Sequence, residues 1–359
     1  MRRGTGWGIR AGIGAFFLLA GLAGTARADV TVDEGGTIII WPKVLNTQTR
    51  DTLIQLTNSG NTLIHAHCFY TDARPQNPNQ PPGPFNPLLW QETDFFLWLT
   101  RQQPTAWSVR EGRSLNPIDH SLGFDPGAVP GVVPGFTGEL VCIEIDSGGM
   151  PIGANKLRGE ATLVSSTGDV SKYSAVAIQA GPSAGQNGRT LELDNDHYNS
   201  CPATLIVNHF ASGAPDPVVG EPDNFGPCMS GCGITTEVTL VPCSHDYENQ
   251  QPGHSQVSVA ITNEFEERFS GSVAVDCWLN ASVSRLSSAT SYNVLGTLTA
   301  QTRLTPVSTS GGVVGIAEET HTNDTGTQSR AAWNLQTEGS FFEPGAGRNV
   351  VDTIVMTGE

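Results

Sequence analysis

Thr52-Leu53-Ile54-Gln55-Leu56-Thr57-Asn58 in the first half of the chain and Val257-Ser258-Val259-Ala260-Ile261-Thr262-Asn263 in the second share one plan. A period of two puts Ile54 and Leu56, and likewise Val257, Val259 and Ile261, on one face of an extended strand. Each run stops at Thr-Asn, and each is followed by a segment carrying a cysteine beside an aromatic, Cys68-Phe69 and Cys277-Trp278. Outward from these runs, short apolar or β-branched stretches recur between turn residues, and helical periodicity is nearly absent. They predict strands at Thr37–Ile40, Thr52–Thr57, Leu63–Tyr70, Phe95–Leu99, Glu139–Ile145, Gly159–Val164 and Tyr173–Gln179. A second series is predicted at Thr204–Asn208, Thr235–Val241, Gln256–Thr262, Ser272–Leu279, Gly296–Leu304, Val313–Glu318 and Val351–Met356. Strands of this length and spacing argue for an all-β chain built as sandwiches.

The alternating strand, Thr-Asn turn and Cys-aromatic strand resemble the B–C hairpin region of immunoglobulin-like sandwiches in exported bacterial proteins. With His65-Ala66-His67-Cys68-Phe69-Tyr70 and Gly138-Glu139-Leu140-Val141-Cys142, the first half is similar to uncharacterised secreted bacterial proteins with immunoglobulin-like β-sandwich domains. The resemblance implies a fold and carries no activity with it. The expected architecture is two tandem immunoglobulin-like β-sandwiches with long Pro/Gly-rich loops, residues 29–185 and 186–359, parted at Gly181–Gly188. Asp72–Pro87 and Glu111–Gly135 are too rich in Pro and Gly to form a ladder, because Pro lacks the donor. They read as long surface loops, which are often functional.

Residues 1–28 read as a secretory signal peptide. Arg2, Arg3 and Arg10 precede an apolar run from Ala11 to Ala23, too short to span a bilayer, and Ala26-Arg27-Ala28 suits signal peptidase. Cleavage is expected before Asp29, giving an exported protein of the periplasm, cell surface or extracellular space. The chain has 19 Lys+Arg against 35 Asp+Glu, a formal net charge of −16. The signal holds four of the basic residues and none of the acidic ones, so the cut chain is more acidic still. Such a charge, with no basic stripe, argues against nucleic acid as a partner.

Seven cysteines, Cys68, Cys142, Cys201, Cys228, Cys232, Cys243 and Cys277, lie beyond the signal. In an oxidising compartment they read as disulfides, and an odd number leaves one thiol over. Cys68 and Cys142 are expected partners; Cys243 is open to either Cys277 or Cys201; Cys228 and Cys232 could close a small loop.

Chemical motifs are sparse. Gly181-Pro182-Ser183-Ala184-Gly185 matches the G-x-S-x-G string of hydrolases, which requires a strand before it and a helix after it. β-like Thr190–Leu193 follows instead. His65 and His67 share one strand face, the weak candidates for a metal site, but need further ligands. Asp194-Asn195-Asp196, Glu221-Pro222-Asp223-Asn224 and Glu264, Glu266 and Glu267 offer oxygen ligands of the kind that suits Ca²⁺. Glu318, Glu319 and His321 close a strand with acid/base residue types. Phe96, Trp98 and Trp107 lie near the Pro-rich loops: covered by those loops they form a satellite core, and left exposed they are a candidate aromatic binding surface. The function these features favour is an exported non-enzymatic binding or structural protein that presents loops and sheet surfaces to a protein or glycan partner. A secreted hydrolase and a metal-binding exported protein are the alternatives.

Overall fold

Ile38-Ile39-Ile40-Trp41-Pro42-Lys43-Val44-Leu45-Asn46 is buried along its whole length as β1 (Ile38–Asn46). The reason is its position between two cores: Ile39 and Trp41 face one, Ile38 and Ile40 the other. The computed structural model describes residues 30–114, 126–216, 233–323, 326–340 and 350–358. The signal segment, Cys228, Cys232, Glu221 and Asp223 lie outside the described residues.

After β1 come β2 (Arg50–Asn58), β3 (Ile64–Asp72), β4 (Gln91–Leu99), β5 (Pro104–Ser108), β6 (Phe136–Ile145), β7 (Leu157–Ser165), β8 (Val170–Ser174) and β9 (Val176–Ile178). They pair in the order β4-β3-β6-β1-β2-β7-β8, with β5 on the other side of β2 and β9 on β1. The sheet folds over on itself at the end of β1, where Asn46 pairs with Asp51. Trp41, Ile54, Leu97, Leu140, Ala161 and Tyr173 meet between the two layers.

The second half contains β10 (Thr190–Leu193), β11 (Pro202–Phe210), β12 (Gly233–Pro242), β13 (His245–Asp246), β14 (His254–Asn263), β15 (Arg268–Asp276) and β16 (Leu279–Ser282). Two one-turn helices follow, α1 (Val283–Leu286) and α2 (Tyr292–Leu295). Then come β17 (Thr299–Pro306), β18 (Val313–Thr322), β19 (Gln328–Asn334), β20 (Gln336–Ser340) and β21 (Asp352–Val355). A five-stranded sheet, β15-β14-β17-β11-β20, and a four-stranded one, β16-β12-β18-β19, enclose a core around Val207, Val259, Leu304, Val238 and Ala317. No helix among the described residues is long and apolar enough to cross a membrane.

A third core joins the halves. The outer face of the first sheet (Ile38, Ile40, Val141) packs against Leu191 and Ile354 of a small sheet, β10-β21-β13, and against Val314 of β18. Polar contacts reinforce the joint. A bulge between Trp41 and Val44 takes Lys43 out of the apolar alternation. Its Nζ donates to Glu318 Oε2 at 2.8 Å, Glu237 Oε2 at 3.0 Å and Asn280 Oδ1 at 3.2 Å. Arg50 grips both oxygens of Glu318, and Ser171 Oγ donates to Oε1 at 2.9 Å. Lys43 is 1% exposed and Glu318 2%. Arg330 with Asp169, and the Asn334 side chain with the backbone of Ser174, tie β19 to β8.

Every predicted strand coincides with an observed one, with three differences. Tyr173–Gln179 is broken at Ala175 into β8 and β9. Ser272–Leu279 is two strands in different sheets, because Cys277 sits in the left-handed region (φ 66°) and turns the chain. The start of Gly296–Leu304 is a helix cap, Gly296 closing α2 at φ 66°. β5, β13, β16, β19 and β20 were not foreseen as separate strands.

Cys68 and Cys142 stand directly opposite each other on β3 and β6 and are bonded. Cys243 pairs with Cys201. Cys277 is a buried thiol with no disulfide partner among the described residues, so of the two partners open to Cys243 the farther in sequence is the one used.

Candidate functional site

The first Pro-rich segment is an ordered projection between β3 and β4. Asn86, almost completely buried, is its centre. Its Oδ1 accepts from Asn77 N at 2.7 Å, and its Nδ2 donates to the carbonyls of Asn77, Gln80 and Pro81 at 3.0, 2.9 and 3.2 Å. Gly83 and Asn86 exchange backbone hydrogen bonds at 3.0 and 2.9 Å, and Gln76 N donates to Pro87 O lower down. Three prolines, Pro81, Pro82 and Pro84, restrict the same turn. The product is a stiff loop with Phe85 fully exposed at its tip. Sequence reasoning passed over Phe85, although it is the one large apolar residue in DARPQNPNQPPGPFNP.

The candidate aromatic surface is only partly exposed, and Trp107 follows the covered reading. Trp98 is 39% exposed and lies edge-on to His65, ring centroids 5.8 Å apart. Phe96 is half-buried and stacks on His67 at 4.1 Å. Trp107 is not at the surface: it is 3% exposed, in the first core, with Nε1 donating to Tyr70 Oη at 2.6 Å. Its burial follows from β5, which pairs with β2 and sets Trp107 opposite Ile54.

His65 and His67 do share a face of β3, with Cys68 on the other. His67 is sandwiched between Phe69 and Phe96, and its Nε2 is 2.9 Å from Asp94 Oδ2. Two groups of three ligand types come together among the described residues, and neither includes these histidines. One is Cys201, Cys243 and Asp352, whose sulfurs are bonded to each other. The other is Glu192, Asp194 and His197, where Asp194 caps a turn by accepting from the amides of Asp196 and His197 and from His197 Nδ1. Glu264 accepts from Thr299, and Glu267 from Asn263, within and beside the β14–β15 hairpin. Ser183 lies in a run of turns that leads directly into β10. Glu318 points into the joint, whereas Glu319 and His321 bond each other, with Asp216 on His321 Nδ1.

The densest polar chemistry is buried where the halves meet. Thr71 of β3 has Glu139 of β6 on one side and Glu92 of β4 on the other, a row on the sheet face that packs against the second half. Over that row lie His245, Tyr247 and Trp90, with rings stacked at 5.5–6.3 Å, and Tyr247 also lies flat on Phe69 at 4.1 Å. Both oxygens of Glu139, both ring nitrogens of His245, Tyr247 Oη, Thr71 Oγ1, Trp90 Nε1 and Glu92 Oε2 are buried without a hydrogen-bond partner among the described residues. Glu144, five residues further along β6, differs: four backbone amides and Thr37 satisfy its oxygens. Burial holds Glu139 well above the usual carboxylate range and pushes His245 down to about 4. Burial, and then the neighbouring Asp94, raises Glu92 to about 7. Glu139 and His245 lie 3.5 Å apart, and burial favours the uncharged form of each.

This has a measurable consequence. A carboxyl raised in the folded state keeps a proton that the unfolded chain has already released, so its contribution falls as pH rises above the unfolded pKa. Glu139→Gln should therefore gain stability relative to the parent between pH 5 and pH 8, by up to about 1.4 kcal/mol for each pH unit in that window. Urea midpoints at the two pH values measure it. An unchanged gap would mean that Glu139 is ionised in the fold.

No protein-family model matches this chain, and no curated protein is detectably similar to it in sequence.

Proposed function

We propose that the chain is an exported, non-enzymatic binding protein, in which two immunoglobulin-like β-sandwiches form a rigid base that presents loops to a protein partner. The observation that carries this reading is Phe85: a fully exposed aromatic on a loop whose backbone is fixed by the four hydrogen bonds of Asn86. Exposing a large apolar side chain is unfavourable in water unless something covers it. Holding it rigid lowers the entropy lost on binding, and aromatic anchors seated in a partner's pocket dominate interfaces. The two disulfides, the apolar N-terminal run and the scarcity of lysine support the exported setting. The first core, enclosed by one sheet folded over on itself, and the second, enclosed by two sheets, support the sandwich reading.

A photo-reactive phenylalanine analogue at position 85, introduced into the chain in its native cells, tests the proposal. It should give one discrete adduct in the exported fraction, and excess parent protein should suppress it while Phe85→Ser protein should not. Phe85→Ala should weaken binding of the captured partner by about thirtyfold or more. If the analogue at position 85 yields no more adduct than one at exposed Ser166, the reading fails.

A further inference from the structure

β15 is the terminal strand of the five-stranded sheet, and its outer edge is open. It pairs with β14 over nine consecutive residues without a register shift. Its sequence, Arg268-Phe269-Ser270-Gly271-Ser272-Val273-Ala274-Val275-Asp276, has no Pro and no Lys, and there is no bulge. Among the described residues, no backbone group of β15 bonds to any strand other than β14. Natural sheets ordinarily protect an edge of this length with one of those devices. The other long edge is handled differently: β4 carries Glu92 and Asp94, and its Trp98 N donates to Pro126 O at 2.8 Å. β8, at the far end of that sheet, is tied to β19.

The sequence of the open edge is complementary to itself. Turned by a two-fold axis through Ser272, Arg268 falls opposite Asp276, Phe269 opposite Val275, Ser270 opposite Ala274 and Gly271 opposite Val273. Alternation then sorts these pairs by face. Arg268, Ser270, Ser272, Ala274 and Asp276 are exposed, whereas Phe269, Gly271 and Val273 are half-buried on the core side and Val275 is fully buried. Phe269 and Val273 already rest against the second-half core and would be covered further. Beside Gly271 the core-side face is lined by Leu286 and Ser287, which lie 3.5 Å from where a Cβ would stand. Arg268 has no ion pair among the described residues. Asp276 uses Oδ1 for His254, and its Oδ2 has no hydrogen-bond partner among the described residues.

We propose that β15 is a homodimerisation edge: two copies join β15 to β15 antiparallel about Ser272, forming one continuous ten-stranded sheet closed by two symmetry-related Arg268–Asp276 pairs. The interface is isologous, so it closes on itself and leaves no open edge at that end for a third copy. This does not depend on the Phe85 reading, since the loop and the edge belong to different halves.

Sedimentation equilibrium of the purified chain over a concentration series reaching the high micromolar range should show a dimer. Arg268→Glu places like charges opposite each other at two positions and should raise the dimer dissociation constant about tenfold. Asp276→Arg in the same chain should restore it. The register is tested separately: Ser272→Cys should cross-link to a dimer on mild oxidation, Ser270→Cys alone should not, and a mixture of Ser270→Cys and Ala274→Cys chains should. A chain that stays monomeric throughout overturns the proposal, as does a dimer that is indifferent to Arg268→Glu and leaves Ser272→Cys uncross-linked. Either result would return the edge to a strand donated by a different protein.

Discussion

Glu318→Ala is expected to cost the folded chain about 3–5 kcal/mol, because it leaves Lys43 buried with its closest counter-charge gone. Glu237 remains at 3.0 Å, but it is partly exposed, and Asn280 is neutral. The cost should change with pH in a defined way. Burial alone would raise the Glu318 carboxyl, but the charges of Lys43 and Arg50 outweigh burial and hold it at about 2, against 4.5 for an ordinary glutamate. A depressed carboxyl contributes its full stability above the unfolded pKa and loses it as pH falls through the folded one. The stability difference between parent and Glu318→Ala should therefore be constant above pH 5 and shrink between about pH 4.5 and 2. Being buried, it should also resist salt, which screens exposed pairs most strongly. Arg303→Ala serves as a contrast, since it removes an exposed partner of Glu338 and should cost less than about 1 kcal/mol. Denaturant titrations of the three proteins across pH would settle the matter; equal losses for the buried and exposed pairs would dismiss the buried network as a clamp.

Replacing Cys68 and Cys142 together by alanine should lower stability by about 4 kcal/mol, the loop entropy released by opening a bridge between residues 74 apart. The Cys201–Cys243 bridge spans 42 residues, and its removal should cost about half a kcal/mol less. The ranking is a sharper test than either value. Both bridges are fully buried, so the difference in loop length is what separates their expected costs. Urea midpoints with unchanged m-values would show it. A larger loss at Cys201–Cys243 would mean that its neighbour Asp352, whose buried carboxyl accepts from Ser244 and Gly312, depends on that bridge for its position.

The strand pattern was legible because it is local. The alternation in Thr52–Asn58 and Val257–Asn263 reports a half-buried strand wherever it occurs, and both segments are strands. The continuous apolar run of β1 reports burial on two sides. What escaped was set by partners far along the chain. Lys43 looks like a surface residue by type; it is buried only because Glu237, Asn280 and Glu318, about two hundred or more residues later, supply its acceptors. Glu139 stands in an alternating strand as an outward residue, and only the arrival of His245 and Tyr247 makes that face an interior. Trp107 was placed with the exposed aromatics because Pro104 disguised the strand that carries it inward. Cys277 gave no warning of a corner, since glycine or asparagine normally marks a positive φ. The Cys68–Cys142 pairing was legible as two cysteines on neighbouring strands; the choice between Cys201 and Cys277 was not, because it depends on that corner.

The small sheet at the joint is completed from both directions along the chain. β21, its central strand, pairs antiparallel with β10 and parallel with β13, yet it is made about a hundred residues after β13. Until the ribosome has passed residue 355, β10 and β13 have no strand between them, and the core containing Ile354 and Met356 stays open. Completion of the small sheet thus requires the chain as far as Val355, whereas the nine strands of the first sheet all lie before residue 179.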